Sequence, residues 1–243
     1  MPESSKTRLL AALLAFVLCS PASLARAVDT AAIDFADLRG PALFAAAAYR
    51  SEAGARALLE GSGYRLALHR TVPGVEIAFL LATDQSARRQ VIAVRGTANV
   101  ENALLDVALK LRVNERTGIA LHEGFAHAAE RVYAQVRPLL EPGYEVRVTG
   151  HSLGGAVATI LATYFAADGL RVGRIVTFGQ PKVTNVAGAA RIDQLDLLRV
   201  VEADDLVPLV PLFDPLDLNN VDIYWHAGTE VVLLEGTRYA LLA

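Results

Sequence analysis

The feature that most constrains this chain is a serine held between glycines, in the segment Gly-His-Ser-Leu-Gly at positions 150–154. Residues 144–149 are rich in β-branched side chains and predict a strand, and the apolar run 155–168 predicts a buried helix. A serine at such a junction sits on a sharp, strained turn, and glycines two residues away on either side leave room for the turned backbone. The pattern predicts that Ser152 is a nucleophile, with a glycine-rich packing turn as the alternative.

Chain order restricts the partners of Ser152. In hydrolases built on this kind of turn, the acid follows the serine and the histidine comes last. Four of the five histidines precede Ser152, so only His226 is left as the general base in that order. Asp204 and Asp205 directly follow the apolar run 197–201, which predicts a strand whose carboxyl end opens onto the site. Spacing alone does not decide between these two aspartates.

Strand and helix patterns alternate along the chain. Helical patterns occupy parts of 33–56, 125–140 and 155–168, and strand patterns occupy 64–69, 75–83, 90–95, 144–149 and 174–178. The proline-rich segment 206–220 is interpreted as a loop forming a wall of the site, and 231–234 as a final strand or hairpin. Strand, helix and strand in succession imply a parallel central sheet with right-handed crossovers.

Short blocks on both sides of the serine carry a family resemblance. They are Val-Arg-Gly-Thr at 94–97, Asn102 with Leu105-Asp106, Leu-His-Glu-Gly-Phe at 121–125, Thr-Phe-Gly-Gln-Pro-Lys-Val at 177–183, Arg-Val-Val at 199–201 with Asp-Leu-Val-Pro at 205–208, and Tyr-Trp-His at 224–226. In this order they resemble the motifs of the fungal-type (class 3) triacylglycerol lipase family, within the α/β-hydrolases. Together the blocks are far more specific than the serine turn alone.

The resemblance implies a fold and completes the site. The implied architecture is the α/β-hydrolase fold, a single domain with a mostly parallel central sheet flanked by helices. By the resemblance, Asp205 rather than Asp204 is the acid, and the backbone N–H of Thr97 is an oxyanion donor. Leu153 supplies a second donor, because it is the residue after the nucleophile.

The chemistry explains why these residue types are needed. Ser152 is a weak nucleophile at neutral pH, so a base, here predicted as His226, must take its proton during attack on an ester carbonyl. Asp205 would hold the imidazole in the correct tautomer and stabilise the imidazolium. Two departures from the family pattern, Ala103 for tryptophan and Lys182 for arginine, leave this chemistry untouched. The first lies in the segment where the family carries its lid.

Apolar residues recur at helical spacing after Thr97, at positions 100, 103, 104, 107, 108 and 111. One interpretation is a surface helix packed on the sheet. The other, which the resemblance suggests, is a mobile lid that covers the acyl-binding groove in water. Both alternatives stay open at this point.

Other patterns do not amount to a site. The segment 122–127 resembles the zinc motif His-Glu-x-x-His but has one residue too many, so its two imidazoles would lie about 140° apart around a helix. His151 is interpreted as a packed, hydrogen-bonded residue. Neither a metal nor a cofactor is predicted, and a net charge of −3 without basic clusters gives no footprint for nucleic acid.

The amino terminus predicts export. Lys6 and Arg8 precede an apolar run at 9–19, which is shorter than the roughly 20 residues of a bilayer span. Small residues then offer cleavage after Ala25 or Ala27, so we predict a signal peptide at 1–27 and a mature domain at 28–243 without an integral membrane span. An uncleaved anchor is the alternative. The predicted location is secreted or periplasmic.

These observations predict a secreted serine carboxylic ester hydrolase that cleaves acylglycerols through an acyl-enzyme intermediate. Its partner would be an ester or lipid substrate, met at a lipid–water interface. A short-chain or aryl (feruloyl-type) esterase would use the same site, and a catalytically inactive lipid-binding protein on the same fold is an alternative of a different class.

Overall fold

The computed structural model describes residues 33–74, 76–97, 110–212 and 223–242. The predicted signal peptide, most of the helical stripe at 100–111 and part of the loop at 206–220 lie outside these residues. Those three assignments, together with the domain boundary at residue 28, stay predictions.

The described residues contain twelve strands and five α-helices. In chain order the strands are β1 (Arg65–Val72), β2 (Ile77–Asp84), β3 (Arg89–Val94), β4 (Leu111–Val113), β5 (Ala120–His122), β6 (Glu145–His151), β7 (Ile175–Phe178), β8 (Thr184–Asn185), β9 (Leu197–Glu202), β10 (Tyr224–Trp225), β11 (Thr229–Leu233) and β12 (Tyr239–Leu242). The helices are α1 (Phe35–Ala47), α2 (Glu52–Leu59), α3 (Glu123–Val136), α4 (Leu153–Ala167) and α5 (Val186–Ile192).

Eight of these strands form the main sheet, in the spatial order β1-β2-β3-β6-β7-β9-β11-β12. The four central pairings, from β3 through β6, β7 and β9 to β11, are parallel. The pairs β1–β2, β2–β3 and β11–β12 are antiparallel. The predicted parallel central sheet flanked by helices is therefore confirmed, with antiparallel strands at both edges.

Helix α4 forms the centre of the core. Twelve of its 15 residues are buried, because the main sheet covers one side and α3 packs against another. Such a helix is apolar all round rather than on one stripe, which is why its sequence shows no amphipathic period. Full burial of a side chain such as Leu161 contributes roughly 1.5–3 kcal/mol, so α4 and the turn that precedes it are held firmly.

A second, smaller sheet of four short strands, β10-β8-β5-β4, lies beside the main one. The sequence patterns did not predict these strands, which are only two or three residues long. Leu111, the last position of the predicted helical stripe, begins β4 instead. The prediction of a final hairpin is confirmed, because β11 pairs with β12.

Within the part of the chain that the structure describes, no helix is both long and apolar enough to cross a bilayer.

Candidate active site

Ser152 lies in a strained turn between β6 and α4. Its backbone has φ 55° and ψ −130°, a region that non-glycine residues rarely adopt and that costs of order 1–3 kcal/mol. A Cβ on Gly150 would overlap the backbone carbonyl of Gly154, and a Cβ on Gly154 would overlap the carbonyl oxygen of Val94. Glycine is therefore required at both positions, as the sequence pattern indicated.

Helix α4 begins directly after the serine, and the N–H groups of Gly155 and Ala156 donate to the Ser152 carbonyl at 2.8 and 3.3 Å. The first N–H groups of a helix have no intrahelical acceptor, and Leu153 contributes the first of them. The Ser152 N–H is already used, since it donates to the carbonyl of Phe178 at 2.8 Å. The Ser152 Oγ is buried and has no hydrogen-bond partner among the described residues. The helix dipole and the Leu153 amide together suit an anion that forms beside Oγ.

Thr97 lies three residues beyond the end of β3, next to a glycine that packs against the nucleophile. A Cβ on Gly96 would lie 2.7 Å from the carbonyl oxygen of His151 and 3.1 Å from the Cβ of Ser152. The segment that carries Thr97 thus packs directly against the serine turn. The Thr97 hydroxyl is buried and, within the described part of the chain, unpartnered, so it is free to donate to a ligand.

Asp205 follows the carboxyl end of β9, on the same edge of the sheet as Ser152. Its Oδ1 accepts the N–H of Val207 at 2.9 Å, and its Oδ2 lies 2.8 Å from the position that a Cβ on Gly179 would take. Gly179 directly follows Phe178, the residue that binds the Ser152 amide. Asp204 is exposed and lines a separate open cavity together with Phe35. Of the two aspartates, Asp205 is thus the one that lies beside the segment that binds the serine turn, and its role as the acid stays a prediction.

His226 is not joined to either residue. Its Nε2 lies 2.6 Å from the carbonyl oxygen of Pro208, which can only accept, so Nε2 carries the proton and donates. Its Nδ1 is buried and has no partner among the described residues. His226 precedes β11, and together with Leu197 and Thr229 it lines a cavity whose wall includes neither Ser152 nor Asp205.

The electrostatic surroundings of His226 also differ from those of a general base. Burial lowers the pKa of His226 to about 3, and the positive charges of Arg199 and Lys182 act in the same direction. A base that works near neutral pH needs a pKa close to that pH. The described conformation therefore does not form the predicted relay from Ser152 through His226 to Asp205. The order of the residues in the chain did not determine where the imidazole lies relative to Ser152.

A different histidine, His151, lies beside Asp205. Its Nε2 lies 3.7 Å from the Cβ position of Gly179 that is also close to the Asp205 carboxylate. Its Nδ1 is 2.8 Å from the hydroxyl of Tyr49, and that hydroxyl accepts the N–H of Gly96 at 3.1 Å. Burial lowers the pKa of His151, while the carboxylates of Asp205 and Glu202 oppose this change. His151 is thus hydrogen-bonded, as predicted, but it is exposed and not packed into the fold. Its partner Tyr49 had no signal in the sequence.

The floor of the site contains a second unpredicted contact. Gln180 is fully buried, and its Oε1 accepts the hydroxyls of Thr159 on α4 and Thr177 on β7, at 2.8 and 2.7 Å. These bonds tie the helix behind the nucleophile to the neighbouring strand. The block at 177–183 marked Gln180 as part of a motif but gave no role for it.

Across 33–74, 76–97, 110–212 and 223–242, no group of three or more His, Cys, Asp or Glu side chains is arranged to hold a metal ion. His122, one of the two histidines of the zinc-like segment, instead caps α3 by accepting the N–H of Phe125.

Comparison with known proteins places the chain among lipases. The sequence model described as Lipase (class 3) matches residues 91–214, about half of the 243-residue chain. The chain is 35% identical over 144 residues to secreted mono- and diacylglycerol lipase 1 of Fusarium solani, an alignment covering 56% of this chain and 43% of that protein. It is 30% identical over 161 residues to secreted mono- and diacylglycerol lipase A of Penicillium cyclopium, covering 62% and 52% respectively.

Solved structures show the same fold. The lipase from Rhizopus microsporus var. chinensis superposes with a TM-score of 0.71 at 23% identity, covering 85% of this chain and 77% of that one. The triacylglyceride lipase of Rhizomucor miehei superposes with a TM-score of 0.67 at 21% identity, covering 86% and 84%. The architecture is the α/β-hydrolase fold. The chain spans about half the length, or less, of the curated relatives named above.

Proposed function

Because the chain belongs to the lipase (class 3) family, we propose that it is a serine carboxylic ester hydrolase that acts on acylglycerols. The observation that carries the proposal is the strained backbone of Ser152, which is held at φ 55° between two glycines that no other residue could replace. Such strain persists only where the surrounding structure maintains it, and it is typical of functional sites. A packing turn would gain nothing from it.

The proposal gives each residue one task. Ser152 attacks the ester carbonyl and becomes acylated, and water then releases the acid. The amide of Leu153 and the amide or hydroxyl of Thr97 stabilise the tetrahedral oxyanion, and loss of one such donor typically lowers turnover by roughly 100- to 1,000-fold. Asp205 orients and stabilises the protonated base.

In the described conformation, no side chain forms a hydrogen bond with Ser152 Oγ through which it could accept the serine proton. His226 was predicted for this task, but its N–H donates to Pro208 and its buried Nδ1 has no hydrogen-bond partner among the described residues. As base, it would have to leave Pro208 and approach Ser152 and Asp205 together. The proposal therefore assigns His226 a packing role in the conformation described and treats its role as base as a prediction for experiment.

Apolar side chains near Asp205 support an acyl or lipid substrate. Leu206 is 73% exposed, and Leu209 on the following turn is 56% exposed. Exposed side chains of this size, next to the candidate acid, are suited to contact with fatty acyl chains or a lipid surface. The relatives are named as mono- and diacylglycerol lipases, which favours acylglycerols over short-chain or aryl esters. Their names also describe secretion, which supports the predicted export of this chain.

Labelling with a fluorophosphonate, combined with hydrolysis of p-nitrophenyl esters from acetate to palmitate, tests the proposal. We expect one adduct on Ser152, hydrolysis that includes the longer esters, and loss of both signals in Ser152→Ala. Activity confined to the shortest esters would indicate the esterase alternative. No adduct on folded protein would contradict the proposed hydrolase.

A second candidate function is a lipid-binding protein that does not hydrolyse its ligand. It is favoured by the Ser152 Oγ, which has no hydrogen-bond partner among the described residues and so no base in contact with it. Free imidazole separates the two candidates, because a small imidazole can replace a missing base next to an intact nucleophile. If labelling of Ser152 occurs only with imidazole present, the nucleophile and oxyanion donors are functional and His226 is not the base. Vesicle binding without labelling under either condition would support the binding protein.

A further inference from the structure

We propose that Tyr49 is a positioning residue for the oxyanion donors, because its hydroxyl joins the backbone before Thr97 to the histidine before the nucleophile. The inference rests on the proposed hydrolase function. It adds a residue that lies about a hundred positions away from Ser152 in the sequence and outside every motif described above.

The Tyr49 hydroxyl contacts both halves of the site. It lies 3.1 Å from the amide nitrogen of Gly96 and 2.8 Å from Nδ1 of His151. It also lies 2.8 Å from the position that a Cβ on Gly96 would occupy, and the Cβ of Ser152 lies 3.1 Å from that same position. The phenol oxygen therefore sits at the junction where β3 meets the serine turn. Tyr49 as a whole is 43% exposed.

The direction of the hydrogen bonds follows from their chemistry. The Gly96 N–H can only donate, so the Tyr49 oxygen accepts from it and is left with its own proton to donate. That proton goes to Nδ1 of His151, which must then carry its ring proton on Nε2. The Nε2–H lies on the side of Gly179 and the Asp205 carboxylate. One chain of hydrogen bonds thus runs from the oxyanion segment to the neighbourhood of the acid.

The surroundings of both side chains are consistent with neutral groups. Burial raises the pKa of Tyr49, and the Gly96 bond and the charge of Arg95 only partly oppose this. Burial likewise lowers the pKa of His151. The phenol and the imidazole therefore keep fixed protons near neutral pH, so the hydrogen bonds keep one direction.

This connection matters because oxyanion donors act through their position. They stabilise the transition state only when they point at the place where charge develops, and a displacement of about 1 Å can lower the rate about 100-fold. Without the Tyr49 hydroxyl, the Gly96 peptide would lose the bond that orients it. The Thr97 N–H belongs to the next peptide and would move with it. The Tyr49 hydroxyl orients backbone and is not proposed to contact substrate, so substrate binding should change little.

Tyr49→Phe tests the inference, and Tyr144→Phe is the matched control. Tyr144 lies before the amino end of β6, with the guanidinium of Arg88 above its ring, far along the strand from Ser152. We expect Tyr49→Phe to lower kcat by about 10- to 100-fold with KM changed by less than about twofold. Fluorophosphonate labelling should slow in proportion. The control should retain wild-type values, and both variants should unfold at similar denaturant concentrations.

Amide hydrogen exchange at Gly96 gives a second measurement that does not depend on turnover. In Tyr49→Phe this amide should exchange at least about tenfold faster than in the wild type, whereas amides in α4 should be unaffected. Unchanged exchange at Gly96, or unchanged kcat in an active wild-type background, would overturn the inference. Failure of the wild type to label would contradict the proposed hydrolase instead, and the exchange result would still decide whether Tyr49 holds this segment.

Discussion

Replacing His226 by glutamine should make the protein less sensitive to acid. The Nε2–H of the imidazole donates to the carbonyl of Pro208, and a glutamine amide can make the same kind of bond without titrating. Burial, followed by the charge of Arg199, lowers the pKa of His226 from 6.5 to about 3. Between pH 6.5 and about 3, His226 of the wild type is therefore neutral in the folded protein and protonated in the unfolded protein.

The sign and size of the effect follow from linkage. With the folded pKa below the unfolded one, the stability that depends on the neutral ring is complete above pH 6.5 and is lost as the pH falls toward 3. Each pH unit within that interval removes about 1.4 kcal/mol from the free energy of unfolding. The total over the interval is about 5 kcal/mol, a large fraction of the stability of a typical domain.

Urea unfolding at a series of pH values between 8 and 4 measures this difference. The unfolding free energy of His226→Gln minus that of the wild type should increase by about 1.4 kcal/mol for each pH unit below pH 6. His127→Gln, which replaces an exposed histidine on α3, controls for the loss of an imidazole as such. Parallel curves for the wild type and His226→Gln would refute the reasoning and would mean that the imidazole is solvated or paired with an acid.

The same variant decides the role of His226 in catalysis. At pH 8, where the ring is neutral in both the folded and unfolded states, His226→Gln should label at Ser152 within about tenfold of the wild type if the residue acts only through packing. A loss of several orders of magnitude in a stably folded variant would instead support the predicted base and would require a conformation in which the imidazole reaches Ser152.

Three further predictions concern the turn, the oxyanion donor and the acid. Gly154→Ala should destabilise the protein by about 3 kcal/mol, because the added Cβ meets backbone and not a movable side chain. Gly40→Ala in α1 is the control: nothing lies within 4 Å of its Cβ, so it should be neutral or stabilising by up to about 1 kcal/mol. Urea unfolding compares the two variants, and equal effects would contradict the clash. Thr97→Val should lower kcat roughly 10- to 1,000-fold if its hydroxyl is a donor, and unchanged steady-state kinetics would leave only the amide in that role. Asp205→Asn should lower kcat roughly 1,000- to 10,000-fold while Asp204→Asn leaves it near the wild type, and the reverse order would transfer the acid to Asp204.

The sequence predicted the features that depend on local backbone geometry. Gly150 must be glycine because its backbone meets that of Gly154, and Gly154 must be glycine because it meets Val94 on the adjoining strand. The spacing of these glycines therefore indicated the turn directly. The parallel sheet followed from alternating strand and helix patterns. The short strands β8 and β10 could not be predicted in this way, because two residues carry no period and pair only once the larger elements have assembled.

The site was predictable only in part, for a related physical reason. Asp205 was identified through motif resemblance, and the structure places its carboxylate beside Gly179 while Asp204 faces solvent. His226 was selected because it is the last histidine in the chain. Its position in the sequence does not determine where its side chain lies relative to Ser152. Tyr49 had no local signal, because its contacts with Gly96 and His151 arise only from the packing of α1 against the strands.

The close approach of Gly154 to Val94 has a consequence for how the protein could accommodate different esters. Since the two main chains meet with no side chain between them, the helix behind the nucleophile and the strand leading to Thr97 have no compressible layer that would let one shift against the other. The turn at Ser152 and the end of β3 therefore form one rigid block, whereas the proposed oxyanion residue Thr97 lies three residues beyond β3 and is oriented through the bond between Gly96 and Tyr49. Differences in acyl length must then be absorbed by the outer loops, so variants with altered substrate range should be sought there and not in the block itself.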